Sequence, residues 1–322
     1  MFHYYTIEVE ATNYCNAKCI FCANNKITRP RGFVSLPLLA SFFQKQADFT
    51  KNNFFKQNTS SYPKINFCGL GDPLLHPQID LLIKSASENG FFTQLVTNGE
   101  LLTPSLANKL ATSGLNELAI SLHSINPTNY YHITGIDLRR TMQSINSTID
   151  IFHRNGINVS FWRIYHPKAE YRDSSLDNEL YIDYAKSIGV EPYRILGPSE
   201  PWERDGVVPD SKCSKTNDFP FWCNKIYFTF NIDWQGNVVL CCNDYNRETV
   251  CLGNVFGENY DFRELFRKKL LILSRKEIPQ ICFSCRRWSD NELRAILQNN
   301  HLDYSLLNSI IKADNINNEV KK

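Results

Sequence analysis

The sequence predicts an α/β fold, with six strand–helix units building a parallel sheet and a small cysteine-rich β-hairpin unit after it. Three observations support this. Strand-like and helix-like stretches alternate through the first two-thirds of the 322-residue chain. Glycine, proline and capping residues fall at the joints between them. The alternation then stops at a proline-rich stretch, residues 197–222, which reads as a linker. Counting strands leaves two architectures open, a doubly wound open sheet and a barrel-like (β/α)6 array.

Thr6–Ala11 alternates β-branched and polar residues and reads as the first strand. Residues 64–68, 94–97, 117–122, 158–164 and 191–196 read as the next five, each short and rich in Ile, Val, Phe or Leu. Helical periodicity marks 36–57, 78–89, 104–113, 138–154 and 176–188. Leu101–Pro104 and Ile125–Thr128 carry helix-start punctuation, while Gly90, Gly114, Gly156 and Gly189 stand where helices should end. After the linker, 226–231 and 237–240 are short strands joined by the turn Asp233-Trp234-Gln235-Gly236. Residues 261–274 and 290–298 read as helices, and the polar stretch from Asn315 as a frayed tail. The expected division is 1–200 for the α/β core, 201–222 for the linker, 223–298 for the cysteine-rich unit and 299–322 for the tail.

With 43% hydrophobic and 21% charged residues, the chain has the balance of a globular protein, which excludes collagen, coiled coil and bulk disorder. No run approaches the roughly 18 apolar residues of a membrane span. The first residues lack the basic-then-apolar plan of a signal peptide. No membrane association and a cytoplasmic location are therefore expected. Lys plus Arg is 35 against 33 Asp plus Glu, so there is no electrostatic footprint for nucleic acid and no nucleic-acid partner is expected.

Eleven cysteines without an export signal read as metal ligands or redox groups rather than a disulfide framework. They cluster at Cys15, Cys19 and Cys22, between Cys213 and Cys251, and at Cys282 and Cys285. Cys68 stands alone in an apolar strand and is expected to be a small buried residue. The first cluster, C-x3-C-x2-C, lets three thiolates wrap one face of a metal centre. A structural zinc or a self-contained iron–sulfur cube takes a fourth protein ligand, but no cysteine follows for 45 residues. One coordination position is thus filled from far away or left open.

The run Cys15-x3-Cys19-x2-Cys22, with Phe21 before the last cysteine, resembles the radical S-adenosylmethionine (SAM) superfamily. Gly69-Leu70-Gly71-Asp72-Pro73, at the end of the second strand, is similar to that family's Gly-Gly-Glu-Pro segment, with Leu70 inserted and Asp72 in place of glutamate. Thr97-Asn98-Gly99, Ser121 and His123 occupy further family positions. Each motif lies at the C-terminal end of a predicted strand, where parallel barrels keep their chemistry. The resemblance implies a partial (β/α)6 TIM-like barrel over residues 5–200 and a [4Fe–4S] cluster on Cys15, Cys19 and Cys22, its fourth iron chelated by SAM. It also implies reductive cleavage of SAM to a 5′-deoxyadenosyl radical that abstracts hydrogen from a substrate. Phe21, Gly69, Gly71, Asp72, Pro73, Asn98, Ser121 and His123 are the implied SAM contacts. Arg163, on the fifth strand, is expected either to pair with the SAM carboxylate or to cap the barrel mouth. A reducing donor such as flavodoxin or ferredoxin is implied as electron source.

In the second cluster Cys223 and Cys241 bracket the hairpin as C-x12-G-x4-C, and Cys282-Phe283-Ser284-Cys285 follows. Four thiolates close a metal site unaided, and spacing alone fits zinc or a second [4Fe–4S] cluster. The pattern resembles the SPASM and twitch auxiliary domains of radical SAM enzymes. No cysteine follows Cys285, so the one-cluster twitch form is the better match. Cys242 competes with Cys241, and Cys213 and Cys251 are spare. The one-cluster arrangement is similar to that of radical SAM dehydrogenases acting on aminocyclitols. It implies oxidation of a small polar substrate of the sugar or aminocyclitol kind, with the auxiliary cluster as electron acceptor. Peptide or protein modification, which many SPASM relatives perform, is the rival reading; a first strand beginning by residue 6 leaves no room before it for a leader-recognition domain. A redox-neutral epimerase, with Cys213 or Cys251 returning the hydrogen atom, and a non-catalytic zinc-binding interaction protein complete the alternatives.

Overall fold

In the computed structural model the described residues are 6–53, 64–164, 173–194, 229–242, 244–246, 251–257 and a few positions between 260 and 268. The linker and the helices expected at 261–274 and 290–298 lie wholly or largely outside them. The six expected strands are present as β1 (Thr6–Val9), β2 (Lys64–Phe67), β3 (Phe92–Thr97), β4 (Glu117–Ser121), β5 (Asn158–Arg163) and β6 (Glu191–Arg194). They lie side by side in chain order, and every neighbouring pair is parallel. A doubly wound sheet reverses its strand order at a switch point. This one does not, so it is wound in one direction, as in a partial (β/α)6 barrel.

The crossovers are α1 (Leu36–Asn53), α2 (Ile79–Glu88), α3 (Pro104–Thr112), α4 (Pro127–Thr134), α5 (Leu138–Arg154) and α6 (Ser175–Ser187). Their starts follow from local chemistry. The Thr103 hydroxyl accepts the Leu106 N–H with Pro104 in the first turn, and the Ser174 and Asp177 side chains form a reciprocal capping box. The glycines expected as helix stops follow α2, α3, α5 and α6, each at positive φ. Helix α4 was legible only as a start signal at Asn126-Pro127. Its eight residues are too few for periodicity to register.

Strand alternation divides the residues between two environments. Ile7 and Val9 of β1, Ile65 and Phe67 of β2, and Val159 and Phe161 of β5 are buried in the core shared with the helices, against residues such as Phe42, Phe43, Leu82 and Phe152. The intervening positions, among them Glu8, Asn66 and Trp162, face a cavity in the lumen.

The C-terminal hairpin is β7 (Thr229–Ile232) and β8 (Asn237–Val239), joined as expected through residues 233–236. The Asp233 carboxylate accepts the Gln235 and Asn237 N–H groups across that turn, and Gly236 at φ +83° leaves room for the Phe256 ring. β9 (Cys251–Asn254) extends the hairpin by a further antiparallel strand. The hairpin does not stand apart from the barrel. β7 pairs in parallel with β1, Thr6 opposite Thr229 through Val9 opposite Ile232, so the nine strands form one sheet in the order β6-β5-β4-β3-β2-β1-β7-β8-β9. The Phe230 ring, fully buried, packs 4.6 Å from that of Phe262. Among the described residues no helix is long and apolar enough to cross a membrane.

If this junction is part of the core, Phe230→Ala should cost about 3–5 kcal/mol in urea denaturation. Leu176→Ala, at a position 63% exposed, should change stability by less than about 0.5 kcal/mol.

Candidate active site

The loop carrying Cys15, Cys19 and Cys22 leaves the C-terminal end of β1 and is pinned on four sides. On the first, the Tyr14 carbonyl accepts the Asp72 N–H at 2.9 Å. On the second, the Asn98 amide donates to Asn16 Oδ1 at 2.8 Å. On the third, the Lys18 and Ile20 N–H groups donate to the Thr134 and Ile133 carbonyls at the end of α4. On the fourth, buried Asn24 donates to the Asn13 and Leu70 carbonyls, and Arg31 donates to Asn13 and Asn24. A Cβ on Gly71 would collide with the Thr12 and Tyr14 carbonyls. The glycine segment therefore meets the cysteine loop backbone to backbone, which is the close approach its composition called for.

Asp72 organises the same region with its side chain. Its carboxylate accepts both the Thr97 hydroxyl (2.8 and 2.9 Å) and the Asn98 N–H (2.8 Å) at the end of β3, and the Leu74 N–H (3.0 Å) of its own turn. Burial raises its pKa, while these hydrogen bonds pull the other way. Pro73 is buried in that turn, behind the cavity wall.

A cavity of about 270 Å³ opens against these segments. Of the residues expected in the site, Cys15, Cys19, Phe21, Cys22, Gly69, Gly71, Asp72, Asn98, Ser121, His123 and Cys241 all line it. Cys223, Cys282 and Cys285 lie outside the described residues. The His123 ring stands edge-on to Phe21 at 5.0 Å. Its Nδ1 accepts the Ile164 N–H at 3.3 Å, which leaves the proton of the neutral ring on Nε2. Burial, with the Arg163 charge adding to it, depresses its pKa to about 3. The Ser121 hydroxyl is uncommitted among the described residues.

Two expectations are corrected. Arg163 does not line the cavity. Trp162 and Ile164 point into it, so alternation turns Arg163 outward, where it donates to the His123 carbonyl (3.0 Å), Asn178 Oδ1 (2.7 Å) and Asp173 (2.7 Å) and lies 4.8 Å over the Tyr181 ring. A guanidinium so committed serves to fix the backbone at His123. Cys68 is half-buried rather than buried, and it lines the cavity because it follows Asn66 on the inward face of its strand.

Sequence reasoning missed Glu8, Glu10, Arg29, Asn66 and Asn231, which also line the cavity, as does Asp244. Glu10 and Arg29 form a bidentate ion pair, one arm at 2.7 Å, and Arg29 Nε donates to the Tyr245 carbonyl at 2.7 Å. This joins β1, the cysteine loop's exit and the hairpin unit. The signal was present in the strands. Glu8, Glu10 and Asn66 are polar at inward positions, where a closed barrel packs branched apolar residues.

The donor set also bears on the metal. Burial pushes the Cys15 thiol up to about 12, the nearby Asp72 carboxylate adding to the rise, so loading a cation there must expel a proton. A single zinc ion holds its sulfurs at about 2.3 Å, hence about 3.8 Å from one another. Among the described residues no three Cys, His, Asp or Glu side chains converge on one ion. A cube gives each thiolate its own iron and accepts a wider spread, so three thiols around one cavity fit the cluster.

Fold and site together define an enzyme of the partial-barrel type with a cluster-binding cysteine loop at the C-terminal ends of its strands. The chain belongs to the radical SAM superfamily, whose profile matches residues 9–170, half of its length. An iron–sulfur cluster-binding SPASM domain matches residues 223–286. The two matches imply a SAM-binding [4Fe–4S] cluster, an auxiliary cluster and SAM as cofactors. A "Probable GTP 3′,8-cyclase" of Methanothermobacter thermautotrophicus is 25% identical over 147 residues, 45% of this chain and 44% of that protein. The chain thus spans less than half of that relative. Among solved structures, histidine-tagged anSMEcpe with bound AdoMet has a TM-score of 0.55 at 15% identity, covering 81% of this chain and 80% of that one. Streptococcus suis SuiB bound to S-adenosylmethionine has a TM-score of 0.50 at 16% identity, covering 88% and 72%. These likenesses establish the fold.

Gly71→Ala should separate the glycine segment from the cysteine loop, lowering Tm and cutting the iron bound after anaerobic reconstitution at least severalfold. Histidine-selective nitrogen NMR should show His123 as the neutral Nε2–H tautomer, unchanged from pH 8 to 5. An imidazolium signal in that range would contradict the buried geometry.

Proposed function

We propose that this radical SAM enzyme dehydrogenates a small polar substrate of the sugar or aminocyclitol kind, converting a carbinol to a ketone. The observation that carries the reading is one shared cavity, walled on one side by Cys15, Cys19 and Cys22 and on the other by Cys241 and Cys242, with carboxylates and amides between them. In this assignment Cys15, Cys19 and Cys22 hold the SAM-binding cluster, and Cys223, Cys241, Cys282 and Cys285 hold the auxiliary one. When bound, SAM on its cluster supplies a 5′-deoxyadenosyl radical for hydrogen abstraction, and the auxiliary cluster supplies a site for the second electron.

The chain's own residues orient and shield. The backbone of Gly69 to Pro73, the Asn98 segment and the edge of Phe21 shape the SAM subsite, and Asp72 acts as a positioning residue beneath them. Neutral His123 offers Nε2–H as a donor and Ser121 its hydroxyl. Both suit the ribose and adenine edges of a nucleoside, since neither carries charge. A flavodoxin or ferredoxin is the proposed source of the reducing electron.

Anaerobic iron and sulfide analysis of the wild type and of a Cys15/Cys19/Cys22→Ala variant tests the assignment. About eight iron per chain should fall to about four, with reductant-dependent 5′-deoxyadenosine formed only by the wild type. A product two hydrogens lighter than its substrate supports dehydrogenation, and a product of unchanged mass supports epimerisation instead. Zinc at both sites with no SAM cleavage would sink the radical reading.

A further inference from the structure

We propose that Asp173, buried outside the lumen, is a positioning residue for the SAM-binding end of the site. It acts through Arg163 on His123 and through Asn129 on the helix that anchors the cysteine loop. The proposal rests on the reading that His123 and Phe21 border the SAM subsite, and it names what holds them there.

The Asp173 side chain is 1% exposed, and donors from three segments converge on its carboxylate. Oδ1 accepts the Ser124 hydroxyl at 2.5 Å and the Asn129 amide at 2.9 Å, while Oδ2 accepts Arg163 Nη2 at 2.7 Å. Asp173 itself does not line the cavity. Each of its donors leads back to it.

The first route runs through Arg163. Its Nε donates to the His123 carbonyl at 3.0 Å, and the next residue, Ile164, donates its N–H to His123 Nδ1 at 3.3 Å. Backbone and ring of His123 are thus both held from the end of β5, with the ring edge-on to Phe21. The second route runs through α4. Asn129 lies in that helix, and its N-cap residue Asn126 donates its N–H to the Ser124 hydroxyl at 3.0 Å. At the other end of α4 the Thr134 and Ile133 carbonyls accept the Lys18 and Ile20 N–H groups, on either side of Cys19. The helix is therefore a bar about 12 Å long, tied to Asp173 near one end and to the cysteine loop at the other.

Packing alone does not call for a charge at this place. A buried ion pair seldom stabilises more than well-packed apolar residues of equal volume would. What the carboxylate adds is direction, because its two oxygens accept several donors at set angles and bring the ends of β4 and β5 and the start of α4 to one point.

The test uses the full chain, reconstituted anaerobically with iron and sulfide and kept without reductant. Arg163→Lys keeps a cation beside Asp173 but lacks the fork that also reaches the His123 carbonyl. Asn129→Ala cuts the bond to α4 alone, and Asp173→Asn turns one acceptor into a donor that faces donors. Leu82→Ala, a core truncation in α2, controls for lost stability. Each is read by histidine-selective nitrogen NMR, calorimetry with SAM and iron release to a chelator. In the wild type His123 is the Nε2–H tautomer, and its signals shift when SAM is added. In Arg163→Lys and Asp173→Asn the ring becomes a mixture of tautomers, and SAM binds about fivefold more weakly, the equivalent of one hydrogen bond. Asn129→Ala and Asp173→Asn release iron severalfold faster. Leu82→Ala lowers Tm and moves none of these readouts. Arg163→Lys and Asn129→Ala leave the carboxylate in place, so they decide the question where Asp173→Asn fails to fold. Variants that lower Tm as Leu82→Ala does, with tautomer, SAM affinity and iron release unchanged, make Asp173 a purely structural residue and overturn the proposal. A wild-type His123 signal that ignores SAM overturns the subsite reading, and the proposal with it.

Discussion

The site depends first on Asp72. Its N–H holds the cysteine loop through the Tyr14 carbonyl, and its carboxylate holds the end of β3 through Thr97 and Asn98. A buried carboxylate is expensive unless its lone pairs are used, and here three donors, the Thr97 hydroxyl and the Leu74 and Asn98 N–H groups, use them. The result is a short strut between β1, β2 and β3 at the end of the sheet where the chemistry lies. Asn98, positioned by that strut, returns to the cysteine loop through Asn16. Loop, glycine segment and strand end thereby form one rigid unit in which no member can shift without breaking bonds in the other two. Asp72 is one side-chain carbon shorter than the glutamate of the family pattern, and it is the insertion of Leu70 between the glycines that accompanies the change.

The second constraint is the junction of β1 with β7. Because the hairpin unit continues the sheet, its half-buried Cys241 and Cys242 share a cavity with the first cysteine cluster. Arg29 reinforces the junction from the loop side, bridging Glu10 to the Tyr245 carbonyl, while Trp234 lies over Gly32 and donates to the Pro30 carbonyl. The two cysteine-bearing segments are held by the same backbone ladder.

Much of this was legible in the sequence, and the reasons differ by residue. The six strands and five of the six helices announce themselves through periodicity and caps, which are local properties. The cysteine spacing and the glycine segment encode a site because their chemistry is carried by residue type. Arg163 was misplaced because residue type said nothing of its side. One step of strand alternation turns it from lumen to outer layer, where Asp173 and Asn178 receive it. Glu8, Asn66 and Asn231 were invisible as a group because they come together only through a register between strands more than two hundred residues apart, which no local pattern records.

The same register shapes how the molecule comes into being. β1 is an interior strand of the sheet, yet its two neighbours begin at residues 64 and 229. On a growing chain one edge of β1 meets β2 early, while its partner on the other edge, β7, is made only when synthesis reaches residue 229. Non-local pairing of this kind is slow to form, and an unpaired edge is a template for wrong partners. Glu8 and Glu10 place charge along that waiting edge, a common safeguard against edge-to-edge aggregation. The polar lumen that serves the finished enzyme thus also protects the half-made one.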